Sequence, residues 1–205
     1  GGSSEADVGD AYFKKVAEKL GPEKSINLIL FLGQLGHPAQ IYRTEAVLKD
    51  LGKKGYKVNI IAKDTANWQP DEAQQKMDAW LNAYKGKFNL ILANNDAMAL
   101  GAVESLITAK YVDDPANPTK DVDGDGTFLK VPVIGVDATQ VALRSMSENK
   151  LYATVLQDAA AQAATAFELA HTLATKGSVN GATINGIKPL DKAIEEAPAN
   201  DPALV

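Results

Sequence analysis

Polar residues able to hold a ligand recur in this sequence at one kind of place, directly after a short apolar run. In FNLILANNDAMALGAVESL, residues 88–106, the run stops at Asn94, Asn95 and Asp96, and Met98, Val103, Leu106 and Ile107 then recur at helical spacing. The run at 26–33 is followed by His37, and that at 56–64 by Thr65 and Trp68. The runs at 131–137 and 151–158 end in Asp137 and in Gln157-Asp158. Amides give and accept hydrogen bonds, carboxylates accept them, and a guanidinium such as that of Arg43 clamps two acceptors at once. Trp68, in the loop KDTANWQP and without a periodic partner, offers a flat face suited to the C–H face of a pyranose ring. This is chemistry for holding a hydroxyl-rich molecule. An enzyme using His37 and Asp137 as an acid–base pair is the weaker reading, because no nucleophile, metal cluster or glycine-rich phosphate loop accompanies them.

Each of these residues also has a structural reading. Asp96 and Asp158 suit the N-caps of the helices that follow them, and Asp137 suits a cap as well as a site. His37 ahead of Pro38 suits a structural histidine, and Arg43, about one and a half turns into its helix, suits the surface as well as a cleft. One helix start needs one cap, however, so Asn94, Asn95 and Asp96 supply more polar atoms than capping uses. Trp80 separates from Trp68: Met77, Trp80, Leu81 and Tyr84 share one helical stripe, which makes Trp80 core.

The elements that must position these residues are legible as an alternation. Five Ile/Val/Leu-rich runs, at 26–33, 56–64, 88–95, 131–137 and 151–158, alternate with helical patterns near 5–20, 38–53, 70–84, 96–109, 138–149 and 159–176. Apolar strands between helices predict an α/β fold, a doubly wound parallel sheet of about five strands in the order 2-1-3-4-5. Pro38 and Pro70 sit where a first helical turn tolerates proline, and Gly177 stops the last helix. In such sheets ligands bind at the carboxyl ends of the strands, where the polar residues collect. With 205 residues and 45% hydrophobic content the chain can bury one sizeable core. A net charge of −5 with no basic run argues against nucleic acid or a membrane surface as partner. The absence of cysteine excludes disulfides and thiolate chemistry. Residues 1–4 read as a linker or cloning scar, 5–177 as a single α/β lobe with an acidic insertion at 111–130, and 178–205 as an irregular tail.

Taken together, GHPAQIYR, DTANWQP, KMDAWL, ANNDAMALGAVESL, PVIGVDAT and ATVLQDA resemble the galactose/glucose-binding proteins of bacterial periplasmic ABC transport, over roughly residues 8–176. The resemblance implies a type I periplasmic-binding-protein lobe with a Rossmann-like sheet, specifically the second lobe, and no enzymatic activity. It implies D-glucose or D-galactose as ligand, held by His37, Arg43, Trp68, Asn95 and Asp137, with Gln157 where the family usually has Asn at the hinge. It further implies an ABC permease as partner and a periplasmic location, with lipid anchoring of the parent and docking to a chemoreceptor as secondary expectations. The rival is the effector-sensing half of a sugar-responsive transcriptional repressor, against which the missing basic helix-turn-helix counts.

The sequence departs from that family in four places. Ala39 stands where the family has an aspartate that takes a sugar hydroxyl and orients the arginine. Gln157 reaches one methylene further than Asn. The family's calcium loop before the first strand is replaced by GPEKSIN, and Asn89 occupies the later glutamate ligand position, so no cofactor is expected there. In the insertion, Asp121, Asp123 and Asp125 take positions 1, 3 and 5 of an EF-hand-like loop, with Gly126 at position 6, but Pro132 stands at position 12 in place of glutamate. The insertion is therefore a weak calcium candidate and otherwise a solvated acidic loop. Receptors of this family have two lobes, which makes the chain either a fragment or half of a circularly permuted parent, with the complementary lobe as its missing partner.

Overall fold

The computed structural model of the chain describes residues 2–20, 22–184 and 186. Five parallel strands form one sheet: β1 (Ser25–Leu32), β2 (Lys57–Thr65), β3 (Leu90–Ala93), β4 (Val133–Asp137) and β5 (Ala153–Leu156), in the order β2-β1-β3-β4-β5. This is the predicted order. Helices α1 (Gly2–Lys15) and α2 (Pro38–Lys53) cover one face, and α3 (Pro70–Tyr84), α4 (Asp96–Thr108) and α5 (Gln140–Ser147) the other.

The central strands β1, β3 and β4 are largely apolar because both faces are buried, whereas the edge strands β2 and β5 carry exposed positions. Ile26, Leu28, Leu30 and Leu32 of β1 point to Tyr12, Phe13, Val47 and Leu51, while Ile29 and Phe31 point to Met77, Leu81, Met98 and Leu106. Trp80 packs at the margin of the second layer, its ring 4.8 Å from that of Phe31, as its stripe predicts. α3 and α4 approach so closely that a Cβ on Gly101 would lie 2.0 Å from the backbone oxygen of Pro70, which only glycine permits.

The structure departs from the sequence reading in three places. α1 begins at Gly2, so residues 2–4, read as a linker, form its first turn. α5 is shorter than the 138–149 expected, because Asp137, Ala138 and Asn149 have φ of 122°, 56° and 56°, outside helical space, and Thr139 becomes the cap. The chain also divides into two compact units, residues 1–157 and 158–205, so α6 (Ala159–Lys176), placed by sequence in the 5–177 lobe, falls in the second unit. Within that unit Asp158 caps α6 through Ala161 N (2.9 Å), and Gly177, at φ 68°, ends it. Most of the tail at 178–205 lies outside the described residues.

The insertion is folded rather than merely solvated. Val112 pairs antiparallel with Leu129, and Tyr111, Val112, Phe128 and Leu129 join the core. Asp125 is 1% exposed and accepts hydrogen bonds from Tyr12 Oη (2.7 Å), Lys19 Nζ (2.5 Å) and Thr127 N (2.9 Å).

Candidate functional site

Arg43 organises the carboxyl edge of the sheet. It projects from the second turn of α2, and Nη1 donates to the backbone oxygen of Asn94 at the end of β3. Nη2 donates to Asp137 Oδ1 (3.1 Å) and to Gln157 Oε1. One guanidinium thus ties α2 to the ends of β3, β4 and β5, and an arginine so engaged is not a surface residue. Its side chain is 12% exposed and that of Asp137 32%. Burial pushes the Asp137 carboxyl above the usual aspartate range, with Arg43 opposing and Asp96 adding to the rise.

The backbone aims Asp137 at Arg43. Two consecutive non-glycine residues, Asp137 and Ala138, hold positive φ, a conformation that costs on the order of 1–3 kcal/mol per residue. Ala138 N donates to Thr154 Oγ1 (3.1 Å), which helps hold the turn. Thr139 Oγ1 caps α5 by accepting from Ala142 N (3.3 Å), so the cap reading of Asp137 is closed.

Trp68 forms one wall. Asn67 and Trp68 both lie in the left-handed region, at φ 49° and 67°, which turns the ring onto the Gly33 backbone. A Cβ on Gly33 would sit 2.1 Å from the indole, so β1 can end this way only in glycine. The His37 ring stands edge-on to the indole at 5.3 Å and 78°, and Arg43 Cζ is 6.0 Å from the indole centroid. His37 Nδ1 accepts from Ala39 N (3.1 Å), capping α2, which places the proton of the neutral ring on Nε2. His37 is therefore both a cap and an exposed donor.

The polar triplet after β3 splits into three roles. Asn94, 1% exposed, accepts from Gly33 N (3.1 Å) and shares hydrogen bonds with Thr44 Oγ1 (3.3 Å), stitching the ends of β1 and β3 to α2. Asn95 caps α4 by accepting from Met98 N (3.0 Å), and its amide donates to Trp68 O (3.3 Å). Asp96, also 1% exposed, is not the cap that its position suggested. Its carboxylate accepts from Thr139 N (2.8 Å), Thr139 Oγ1 (3.1 Å) and Thr154 Oγ1 (2.5 Å), joining α4 to α5 and β5. Half-buried Asn95 keeps one lone pair and one N–H beyond these bonds, enough for one further partner.

His37, Arg43, Trp68, Asn95, Asp137 and Gln157 thus meet along one edge. Asp64 is drawn away to Lys76 of α3 (2.5 Å). Sequence reasoning missed Asn94 and Thr44 as a structural stitch and Glu5 in the first turn of α1, an acid that sequence alone explains by the helix dipole. In the insertion, carboxylate oxygens of Asp113, Asp121 and Asp123 come within 4.8 Å of one another, but Asp125 is turned inward, so the expected Asp121, Asp123, Asp125 set is not assembled. Lys19 Nζ also lies 2.7 Å from Asp123, supplying a positive charge of its own.

An arginine-centred polar floor beside an aromatic wall, at the carboxyl edge of an open sheet, is chemistry suited to hydrogen-bonding a small polar molecule. The chain belongs to the periplasmic binding protein domain family, whose model matches residues 2–178. It is 34% identical over 165 residues to the D-galactose/methyl-galactoside binding periplasmic protein MglB of Haemophilus influenzae, covering 80% of this chain and 44% of that protein. A solute-binding protein of an ABC transporter from Bacillus halodurans, solved with bound myo-inositol, is 30% identical with a TM-score of 0.60, covering 91% of this chain and 57% of that one. A periplasmic solute-binding protein from Actinobacillus succinogenes, solved with D-allose, is 27% identical with a TM-score of 0.63, covering 83% and 53%. The chain spans about half the length of the relatives it matches. These relatives are solute-binding proteins, not enzymes.

Proposed function

We propose that the chain is one lobe of a periplasmic hexose receptor that captures D-glucose or D-galactose for an ABC permease. The observation that carries this reading is the convergence of Trp68, His37, Arg43 and Asp137 on one edge of the sheet. Trp68 stacks on the apolar face of the sugar, His37 Nε2–H donates to a hydroxyl, and Arg43 and Asp137 form a donor–acceptor pair across adjacent hydroxyls. Asn95 adds an amide, and Gln157 closes the far side. A complementary lobe supplies the remaining contacts and closes about the ligand. The galactose-binding relative supports a hexose, and the neighbours solved with myo-inositol and D-allose support a ring rich in hydroxyls.

A lone lobe makes only its own half of the hydrogen bonds, and Ala39 removes one of them. The 205-residue chain should therefore hold a hexose at about millimolar, worth roughly 4 kcal/mol. Titrating it with D-glucose, D-galactose, D-ribose and myo-inositol, followed by tryptophan fluorescence and calorimetry, tests the reading. Glucose or galactose should bind more tightly than the other two. Preference for ribose or myo-inositol would overturn the hexose assignment, and submicromolar binding would overturn the two-lobe argument.

A further inference from the structure

Two glycines near the end of β1 differ in what requires them. Gly36 holds φ of 82°, and a Cβ there would meet nothing within 4 Å, so its backbone requires glycine and the space around it does not. Gly33 is the reverse. Its φ lies outside the left-handed region, but a Cβ there would overlap Cζ2, Cη2 and Cε2 of Trp68. The three nearest atoms all belong to that one side chain, and near-equal overlap with three successive ring atoms means that the Cβ would enter through the face of the ring. One face of the indole is therefore laid on the Gly33 backbone, and the opposite face is the one left for a ligand.

The backbone under the indole is fixed. Gly33 N donates to Asn94 Oδ1 (3.1 Å), and Gly33 O accepts from Thr65 Oγ1 (2.7 Å). Leu32 O, one residue earlier, accepts from Ala66 N (2.8 Å). The loop that carries the indole is held to the same frame: Thr65 Oγ1 accepts from Asn67 N (3.2 Å), the Asn67 amide donates to Glu72 (2.8 Å), and the Asn95 amide donates to Trp68 O (3.3 Å). These bonds hold Asn67 and Trp68 in a left-handed conformation that a residue as bulky as tryptophan rarely adopts. With backbone and loop both anchored, the depth of the indole is set by what lies between them, which at Gly33 is a hydrogen atom.

We propose that Gly33 is a positioning residue for the Trp68 wall: its missing side chain sets the depth of the indole before a ligand arrives, and with it the spacing of the wall from His37 and Arg43. Those spacings are now 5.3 Å to the His37 ring and 6.0 Å to Arg43 Cζ. A methyl group at position 33 forces the ring off its seat, and a stacked contact loses a quarter to a half of its attraction over a shift of about 0.5–1 Å. A wall that is already in place also spares the ligand the cost of ordering it. The consequence for sugar binding rests on the hexose reading, whereas the placement of the indole does not.

The test compares the full 205-residue chain with Gly33→Ala, Trp68→Ala and the double variant by NMR, which also reads millimolar affinities. In the parent the Gly33 Hα signals should lie well upfield, as protons over an aromatic face do, and return to ordinary positions in Trp68→Ala. Ordinary positions in the parent overturn the proposal. In Gly33→Ala the Trp68 indole N–H signal should move while the amide signals of β3 and β4 stay in place, and affinity for D-galactose should fall about tenfold. Adding Gly33→Ala to Trp68→Ala should change that affinity less than about twofold. An equal loss in both backgrounds shows that Gly33 does not act through the indole and overturns the proposal, as does an unmoved Trp68 signal. If Gly33→Ala does not fold, Thr65→Val takes its place: it removes the hydroxyl that pins the Gly33 oxygen without adding bulk under the ring, and it should move the same Trp68 signal, an unmoved one again overturning the proposal. A Trp68 signal that follows position 33 in a chain that binds neither D-galactose nor D-glucose sinks the hexose reading and leaves the role of Gly33 standing.

Discussion

Asn94, Asn95 and Asp96 show how far residue type alone decides a role. All three are small polar residues at a strand end, yet one stitches strands, one caps a helix and one is a buried carboxylate joining two further elements. Counting polar atoms was enough to see that capping could not use them all. It could not say that Asn95 is the cap, because that depends on Asn95 adopting the extended backbone (φ −148°, ψ 169°) that aims its oxygen at Met98 N. The two tryptophans were easier, since periodicity separates a stripe from an isolated aromatic. They give a paired prediction. Trp68→Ala should cost roughly 2 kcal/mol or more of hexose binding, the scale of an aromatic anchor, with little loss of stability. Trp80→Ala, which empties the space against Phe31, should cost roughly 2–3 kcal/mol of folding, less than for a fully buried tryptophan, and leave the Trp68 wall in place. Chemical denaturation and sugar titration of both variants check the pair, and the reverse pattern would exchange their roles.

Elements were more legible than contacts, because an apolar strand between two helical stripes has few alternatives in a covered parallel sheet. All five strands, their order, and the proline-marked starts of α2 and α3 followed from pattern. What did not follow was set by backbone conformation or by packing: the early end of α5, the start of α1 at Gly2, and the folded insertion. DVDGDGTF reads as solvated because its acidic residues dominate, but Asp125 is repaid for burial by Tyr12 and Lys19, both far away in sequence. With Asp125 so engaged and Lys19 beside Asp123, millimolar calcium should leave the melting temperature unchanged; a rise of several degrees that Asp123→Ala abolishes would show that the loop takes the ion. The contact between α3 and α4 carries a sharper prediction. Gly101→Ala puts a methyl group against the Pro70 oxygen, so the start of α3 must move, at a cost of about 1–3 kcal/mol of overpacking. Because Trp68 lies two residues ahead of Pro70, the variant should also show altered Trp68 fluorescence, whereas a helix-surface change such as Lys76→Ala should not.

At the scale of the whole molecule, Glu5 sets an unusual direction for the pH dependence of stability. A carboxylate paired with a cation normally stabilises as pH rises: Asp10 and Asp64 are held below the usual range chiefly by hydrogen bonds from Lys14 and Lys76, and their contributions are lost in acid as they protonate. Glu5 works the other way. Its carboxyl titrates at about 8 in the fold, against 4.5 when unperturbed, so between those values the folded chain binds a proton that the unfolded chain does not. Its contribution is fully present below about 4.5 and is lost as pH rises to about 8, at up to about 1.4 kcal/mol for each pH unit. Asp137, also raised by burial, adds in the same direction. The gain from the paired aspartates is complete above their unfolded value of 3.8 and the loss from Glu5 begins near its unfolded value of 4.5, so maximum stability should fall at or just below about pH 4.5 rather than at neutrality. Thermal melts from about pH 2 to about pH 9 should show the melting temperature falling through neutrality in the parent chain, whereas Glu5→Gln, which has no proton to lose, should flatten the alkaline limb and leave the acid limb unchanged. An alkaline limb that survives the substitution would place the titrating group elsewhere.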